Sequence, residues 1–121
     1  MSQQKTETNN LTTQIVAFLN EMGHFAWRNN TIGVYDMTTG RYRKSNSVKG
    51  TADIFCVLNP AGQTLFIEIK VGRDRLRDAQ EVFRDEVVKR GAIHWEIKTI
   101  ENFIEKYKKY HATHQTAPAQ D

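Results

Sequence analysis

A chain of 121 residues with seventeen Lys and Arg against fourteen Asp and Glu carries a formal net charge of +3. That length suits one core and one domain and excludes a nucleotide-binding half joined to a substrate domain, while the mild basic surplus suits a polyanionic partner without requiring one. The single cysteine, Cys56, excludes a disulfide frame and a CxxC metal site, and within its apolar stretch it is expected to be a buried small hydrophobe.

Residues 1–10 are polar and are expected to form a flexible tail, as is HATHQTAPAQD at 111–121, leaving one domain over 11–110. Asn10 can cap a first helix whose apolar positions Leu11, Ile15, Phe18, Leu19 and Met22 recur at helical spacing up to Gly23. HFAWRNN follows as a short strand. GVYDMTTGRYRKSN is an irregular segment or hairpin, with Tyr35 and Tyr42 flanking the turn-prone MTTG. ADIFCVL (52–58) and TLFIEIKV (64–71) are two β-rich runs joined by Asn59-Pro60-Ala61-Gly62, the chemistry of a tight turn, and should pair as an antiparallel hairpin. A second helix is expected from about Asp74 to Arg90, with Leu76, Ala79, Phe83 and Val87 on one stripe and Gly91 as its stop. AIHWEI (92–97) supplies a further strand, and Thr99 caps a last helix that turns Ile100, Phe103, Ile104 and Tyr107 inward. The order α-β-β-β-α-β plus a C-terminal helix predicts an α/β fold, a mixed central sheet flanked by helices. No apolar run reaches the length of a membrane span and MSQQKTETNN is not a signal peptide, so a cytoplasmic protein with no membrane contact is expected.

One strand breaks its own pattern. In LFIEIKV, Leu65, Ile67 and Ile69 share one face, and Phe66, Glu68 and Lys70 share the other. If the hairpin closes around residues 59–62, then 58 pairs with 63 and Asp53 lies opposite Glu68. Two carboxylates and a lysine would then converge. Burying two such carboxylates costs several kcal/mol unless a cation sits between them. Lys70 supplies one positive charge. A hard divalent ion accepting oxygens from Asp53 and Glu68, a backbone carbonyl and waters supplies the rest, and it would lower the pKa of a water beside Lys70. That is chemistry for attacking a phosphodiester. The plain alternative is an ordinary ion pair on a solvated sheet face. Gly50 just before Asp53, the hairpin spacing, and Gln80 between Leu76 and Phe83 on the inner stripe of the next helix favour the site, because a glutamine among apolar neighbours needs partners.

KGTADIF, then LFIEIKVGRDRL, then AQEVF resembles the PD-(D/E)xK nuclease superfamily, and within it the VRR-NUC branch of small, often phage-borne nucleases. The resemblance runs from about Leu11 to Ile104 and includes GHFAWRNNTIGVYD and RYRKSN. It implies a restriction-endonuclease-like fold and Mg²⁺- or Mn²⁺-dependent DNA cleavage in a bacterial or phage-infected cell. Carried over, Asp53 and Glu68 become metal ligands with the Ile69 carbonyl as a third, Lys70 the water-activating lysine, and Gln80 the motif glutamine that positions the water or the lysine. Two departures stand out. Ala52 occupies the position that the motif's name gives to proline, and Thr8 to Thr12 stand where members of the branch often carry a glutamate early in the first helix, with Glu7 out of register.

Arg28, Asn29, Asn30, Arg41, Arg43, Lys44, Lys49, Arg73, Arg75 and Arg77 surround this centre in sequence and would contact phosphates without reading bases. Tyr35 and Tyr42 either stack on an unpaired base or pair with each other across the hairpin. Trp27 and Trp95 are expected in the core, and His24, His94, His111 and His114 in structural or tail roles. The expected activity is endonucleolytic cleavage of branched or structured DNA, as in Holliday-junction resolution, by a homodimer. The alternatives are a nicking or flap nuclease with little structural preference, and a DNA-binding module of the same fold that has lost turnover.

Overall fold

The computed structural model describes residues 3–29, 34–43 and 48–114. Its elements run α1 (Gln3–Glu21), β1 (Phe25–Arg28), β2 (Val34–Asp36), β3 (Arg41–Arg43), β4 (Ile54–Val57), β5 (Thr64–Ile69), α2 (Asp78–Val88), β6 (Ile93–Ile97) and α3 (Ile100–Thr113). Four strands form a mixed sheet in the order β1-β4-β5-β6, antiparallel except for the parallel β5–β6 pair, and β2 and β3 form a separate hairpin. The fold is α/β, with three helices and a mixed sheet.

Period-two burial decides which face goes where. Ala26, Ile54, Cys56, Leu65, Ile67, Ile69 and Ile97 turn to one side and are buried against Leu11, Ile15 and Leu19 of α1 and Phe103 and Tyr107 of α3. Cys56 has no exposed surface, and burial pushes its thiol up to about 11, as suits an inert core residue. The opposite face carries Phe55, Phe66 and His94. Phe83 of α2 packs edge-on against Phe66, with ring centroids 5.1 Å apart, and against His94 at 6.3 Å. This face therefore has a helix over its β5–β6 half.

Side-chain bonds from Asn20 and His24 and one backbone turn fix the frame that sets strand register. The Asn20 amide accepts from Ala26 N at 2.8 Å and donates to Ala26 O at 3.0 Å, which ties β1 to the last turn of α1. His24 Nδ1 accepts the Asn59 amide at 3.0 Å, which puts the ring proton on Nε2, 2.9 Å from the Tyr107 hydroxyl. The β4–β5 turn closes with the Gly62 amide donating to Leu58 O at 2.8 Å, and Gly62 sits at φ +78°.

Several boundaries differ from expectation. The first helix begins at Gln3 and is not capped by Asn10, so residues 3–10 are helical. Burial of Leu11 and Thr12 and the bond from Thr12 Oγ1 to Thr8 O, 2.7 Å, explain how a polar stretch is drawn into the helix. The second helix starts at Asp78 and not near Asp74, because Lys98 Nζ donates to the carbonyls of Lys70 and Asp74, at 3.3 and 3.1 Å, and holds the intervening chain as a loop. The third helix runs to Thr113, past the expected end of the domain; its cap is as expected, with Thr99 Oγ1 accepting from Asn102 N at 3.0 Å. Trp27 is not in the core: it is 40% exposed. Trp95 is half-buried against Phe103 and Tyr110. Tyr35 and Tyr42 are paired by backbone register across the β2–β3 hairpin.

Candidate active site

The site begins where β4 and β5 part. The ladder closes at Ile54↔Ile67, and one further step in the same register sets Asp53 against Glu68. There the Asp53 amide still donates to Ile67 O at 3.0 Å, while Asp53 Oδ2 accepts the Ile69 amide at 2.8 Å, so a carboxylate stands in for a ladder carbonyl. Asn29 secures the same chain from the β1 side. Its amide donates to Asp53 O at 2.8 Å, and its side-chain Nδ2 donates to Ala52 O at 3.1 Å. The direction of the Asp53 carboxyl is therefore set by main chain on both neighbours.

Glu68 and Lys70, on the face opposite Leu65 and Ile67, are also buried: Glu68 has no exposed surface and Lys70 is 6% exposed. Gln80, in the first turn of α2, donates from Nε2 to Glu68 Oε1 at 3.3 Å and accepts the Arg77 amide on Oε1 at 2.8 Å. One residue thus caps the helix and orients the acid. Gly50, at φ +75°, lets the chain leading to Asp53 pass directly beneath α2, where a Cβ would lie 2.2 Å from Ala79 O. Lys70 Nζ reaches 3.9 Å from Asp74 Oδ2 on the loop that Lys98 fastens.

The two carboxyls interact directly with each other. Burial pushes Glu68 up to about 8, repulsion from Asp53 adds to this, and the nearby Lys70 ammonium opposes it; Glu96 on β6 raises it further. Asp53 is also raised by burial, against the pull of the Ile69 amide, Lys70, a hydrogen bond shared with the Glu68 carboxyl, and Arg28. Apart from that contact, Glu68 Oε2 is fully enclosed and has no hydrogen-bond partner. Two carboxyls in such contact out of water need a proton shared between them, as the raised Glu68 holds, or a cation in its place. Among the described residues no three His, Cys, Asp or Glu side chains gather at one point. A divalent ion here would therefore take Asp53, Glu68 and the main chain at Ile69 and complete its shell with water, the coordination Mg²⁺ favours.

The structure brings Asp53, Glu68, Ile69, Lys70 and Gln80 together. Of the expected substrate contacts, Arg28 is exposed and its charge is felt at Asp53. Lys49 is exposed beside Gly50, and Arg73 and Arg75 are exposed on the loop after Lys70. Arg43 lies on the separate hairpin, while Asn30 and Lys44 fall outside the described residues. Sequence reasoning missed Glu96 and Lys98. The signal was present: Glu68-Ile69-Lys70 recurs as Glu96-Ile97-Lys98, and the parallel β5–β6 pair sets Glu68 beside Glu96. Direct comparison of the chain with protein families, with curated proteins and with solved structures gives no match.

Proposed function

We propose that the protein is a divalent-metal-dependent DNA endonuclease with a restriction-endonuclease-like core of the PD-(D/E)xK type, acting on branched or structured DNA. The observation that carries this reading is the convergence of the fully buried Glu68 on Asp53, carboxyl to carboxyl, with the buried Lys70 close enough for its charge to be felt at both. A solvated ion pair, the plain alternative, does not account for burial of both Glu68 and Lys70.

Asp53, Glu68 and the Ile69 carbonyl would hold Mg²⁺ or Mn²⁺, which when bound supplies a more acidic water and offsets charge on the phosphate. Gln80 holds Glu68 in one orientation, so that the acid is set before substrate arrives. Lys70, fixed by burial, places an ammonium where it would orient a water by donating a hydrogen bond and stabilise the negative charge that develops on its oxygen. Arg28, Lys49, Arg73 and Arg75 contribute phosphate contacts around the acids, which set position and affinity and leave base identity unread. Resolution of a four-way junction needs two symmetric cuts, so the form active on that substrate would be a homodimer.

Among the described residues no third acidic side chain joins Asp53 and Glu68 in a ligand group, and this favours, as the second reading, a DNA-binding module without turnover. A supercoiled plasmid and a synthetic four-way junction, each incubated with Mg²⁺, Mn²⁺ or EDTA, separate the two. Metal-dependent cutting that Lys70→Ala abolishes supports the enzyme. Tight binding with no cutting under any metal supports the module. Equal cutting of linear duplex and junction would remove the branched-substrate preference and leave a general nicking nuclease.

A further inference from the structure

Among the described residues, the sheet face that carries Asp53 and Glu68 has a helix over only half of it. Phe83 and Gln80 of α2 lie over Phe66, His94 and Glu68, on β5 and β6. Over β1 and β4 the same face exposes Phe25 (66%), Trp27 (40%) and Val57 (38%). Their arrangement is ordered. Trp27 meets Phe55 edge-on at 5.7 Å, Phe55 meets Phe66 edge-on at 5.2 Å, and Phe25 tilts against Trp27 at 5.2 Å. Phe55 follows Asp53 by two residues on the same strand face, and Trp27 is its register partner on β1. Strand geometry therefore sets the indole backbone roughly 8 Å from that of Asp53, about two residues along and one strand across.

We infer that Phe25 and Trp27 form a stacking shelf for an unpaired nucleotide next to the phosphate held at Asp53 and Glu68, so that the substrate is DNA with unpaired bases at the cut. The inference rests on the nuclease reading for the position of that phosphate. Three observations favour a base over another occupant. The shelf is continuous with the acidic site. Arg28, which follows Trp27 at the end of β1 and is rooted on the other face by its register with Ile54, is exposed and its charge is felt at Asp53, within reach of the backbone of the same strand. The exposed parts of Phe25, Trp27 and Val57 amount to roughly 300 Å², far below the ~800 Å² that each partner gives to a stable protein interface, yet ample for one or two bases. A continuous duplex keeps its bases stacked inside and cannot offer a π-face to these rings. A fork, flap, junction or single strand can.

The test measures binding without turnover. Labelled single strand, splayed fork and blunt duplex are titrated by anisotropy in EDTA and in Ca²⁺, with wild type, Trp27→Ala, Trp27→Phe and Phe25→Ala. In a Trp95→Phe background, emission from Trp27 is followed as oligothymidylate is added. Quenching of that emission, with single-strand and fork binding weakened about tenfold to a hundredfold in Trp27→Ala, largely retained in Trp27→Phe, and duplex binding unchanged within twofold, is the expected result. Unquenched emission, or equal loss on all three DNAs, overturns the inference. So does sedimentation showing a dimer that Trp27→Ala dissolves, because the shelf is then an interface between copies. Because cutting is not read, quenching by a protein that never cleaves would retain the shelf and remove the nuclease reading.

Discussion

Asp53 Oδ2 accepts the amide of Ile69 at 2.8 Å, one step past the last paired residues of β4 and β5. The acid is both a strand terminator and one wall of the site, and these roles separate by substitution. Asp53→Asn retains an acceptor for the Ile69 amide and removes the charge, so it should keep stability within about 1 kcal/mol and lose metal-dependent cutting. Asp53→Ala leaves the Ile69 amide unsatisfied and should cost about 1–3 kcal/mol in addition. Urea unfolding beside plasmid nicking checks both; equal destabilisation by the two variants would contradict the strand-terminating role.

Gly50 decides how closely the chain before Asp53 approaches α2. An alanine there meets Ala79 O at 2.2 Å from a backbone at φ +75°, and neither the carbonyl nor the turn can yield cheaply. Gly50→Ala should destabilise by about 2–4 kcal/mol and reduce cutting. Gly72→Ala makes the control, with the same sign of φ and nothing within 4 Å of its Cβ, and should cost about 1 kcal/mol.

On the proposed reading Gln80 is a positioning residue that acts through its bond to Glu68. Gln80→Ala removes the 3.3 Å bond to Glu68 Oε1 and the 2.8 Å bond from the Arg77 amide. Turnover should fall about 10- to 100-fold while DNA affinity in EDTA stays within twofold. A variant that loses binding and turnover in parallel would show a structural role only.

In the metal-free protein, pH acts on stability through opposed groups. Glu68 is raised from 4.5 to about 8, so between those values the folded state holds a proton the unfolded chain has released, and stability falls as pH rises. His94, enclosed beside Phe83, is lowered by burial from 6.5 to about 4, so over that interval the unfolded chain holds the extra proton and stability rises with pH. His24, lowered by burial and by His111, has the sign of His94, and Asp53 has the sign of Glu68. Between pH 4.5 and 6.5 the slopes of Glu68 and His94 oppose one another. Above pH 6.5 the histidines no longer oppose the fall, and Glu68 contributes about 2 kcal/mol of it by pH 8 at ~1.4 kcal/mol per unit. Calorimetric melting in EDTA from pH 5 to 8.5 should show that decline, and Glu68→Gln should abolish it.

Much of this site is legible in the sequence because strand periodicity and turn length are arithmetic. Four residues between Leu58 and Gln63 fix the register, the register puts Asp53 opposite Glu68, and the structure keeps that pairing. Gln80 is legible for a similar reason, as a polar side chain on an apolar stripe. What local pattern does not carry is neighbourhood across distant strands. Glu96 and Lys98 enter only because β6 lies parallel to β5, and the repeated Glu-Ile-Lys is visible as a signal once that pairing is known. Trp27 misleads for a related reason: hydrophobicity argues for burial, but α2 is eleven residues long and lies over β5 and β6, leaving β1 open on that face. The early start of α1 depends on Leu11 and Thr12 finding the core, a tertiary gain that the polar composition of residues 3–10 does not disclose.

Calorimetric titration of Mn²⁺ and Mg²⁺ into the free protein and into its DNA complex at pH 8, for wild type, Asp53→Asn and Glu68→Gln, tests the shared cation most directly. The account predicts saturable uptake by wild type, with protons released because Glu68 must ionise, and uptake weakened at least tenfold in each variant. Absence of uptake by wild type with and without DNA, or uptake that neither substitution changes, would contradict it.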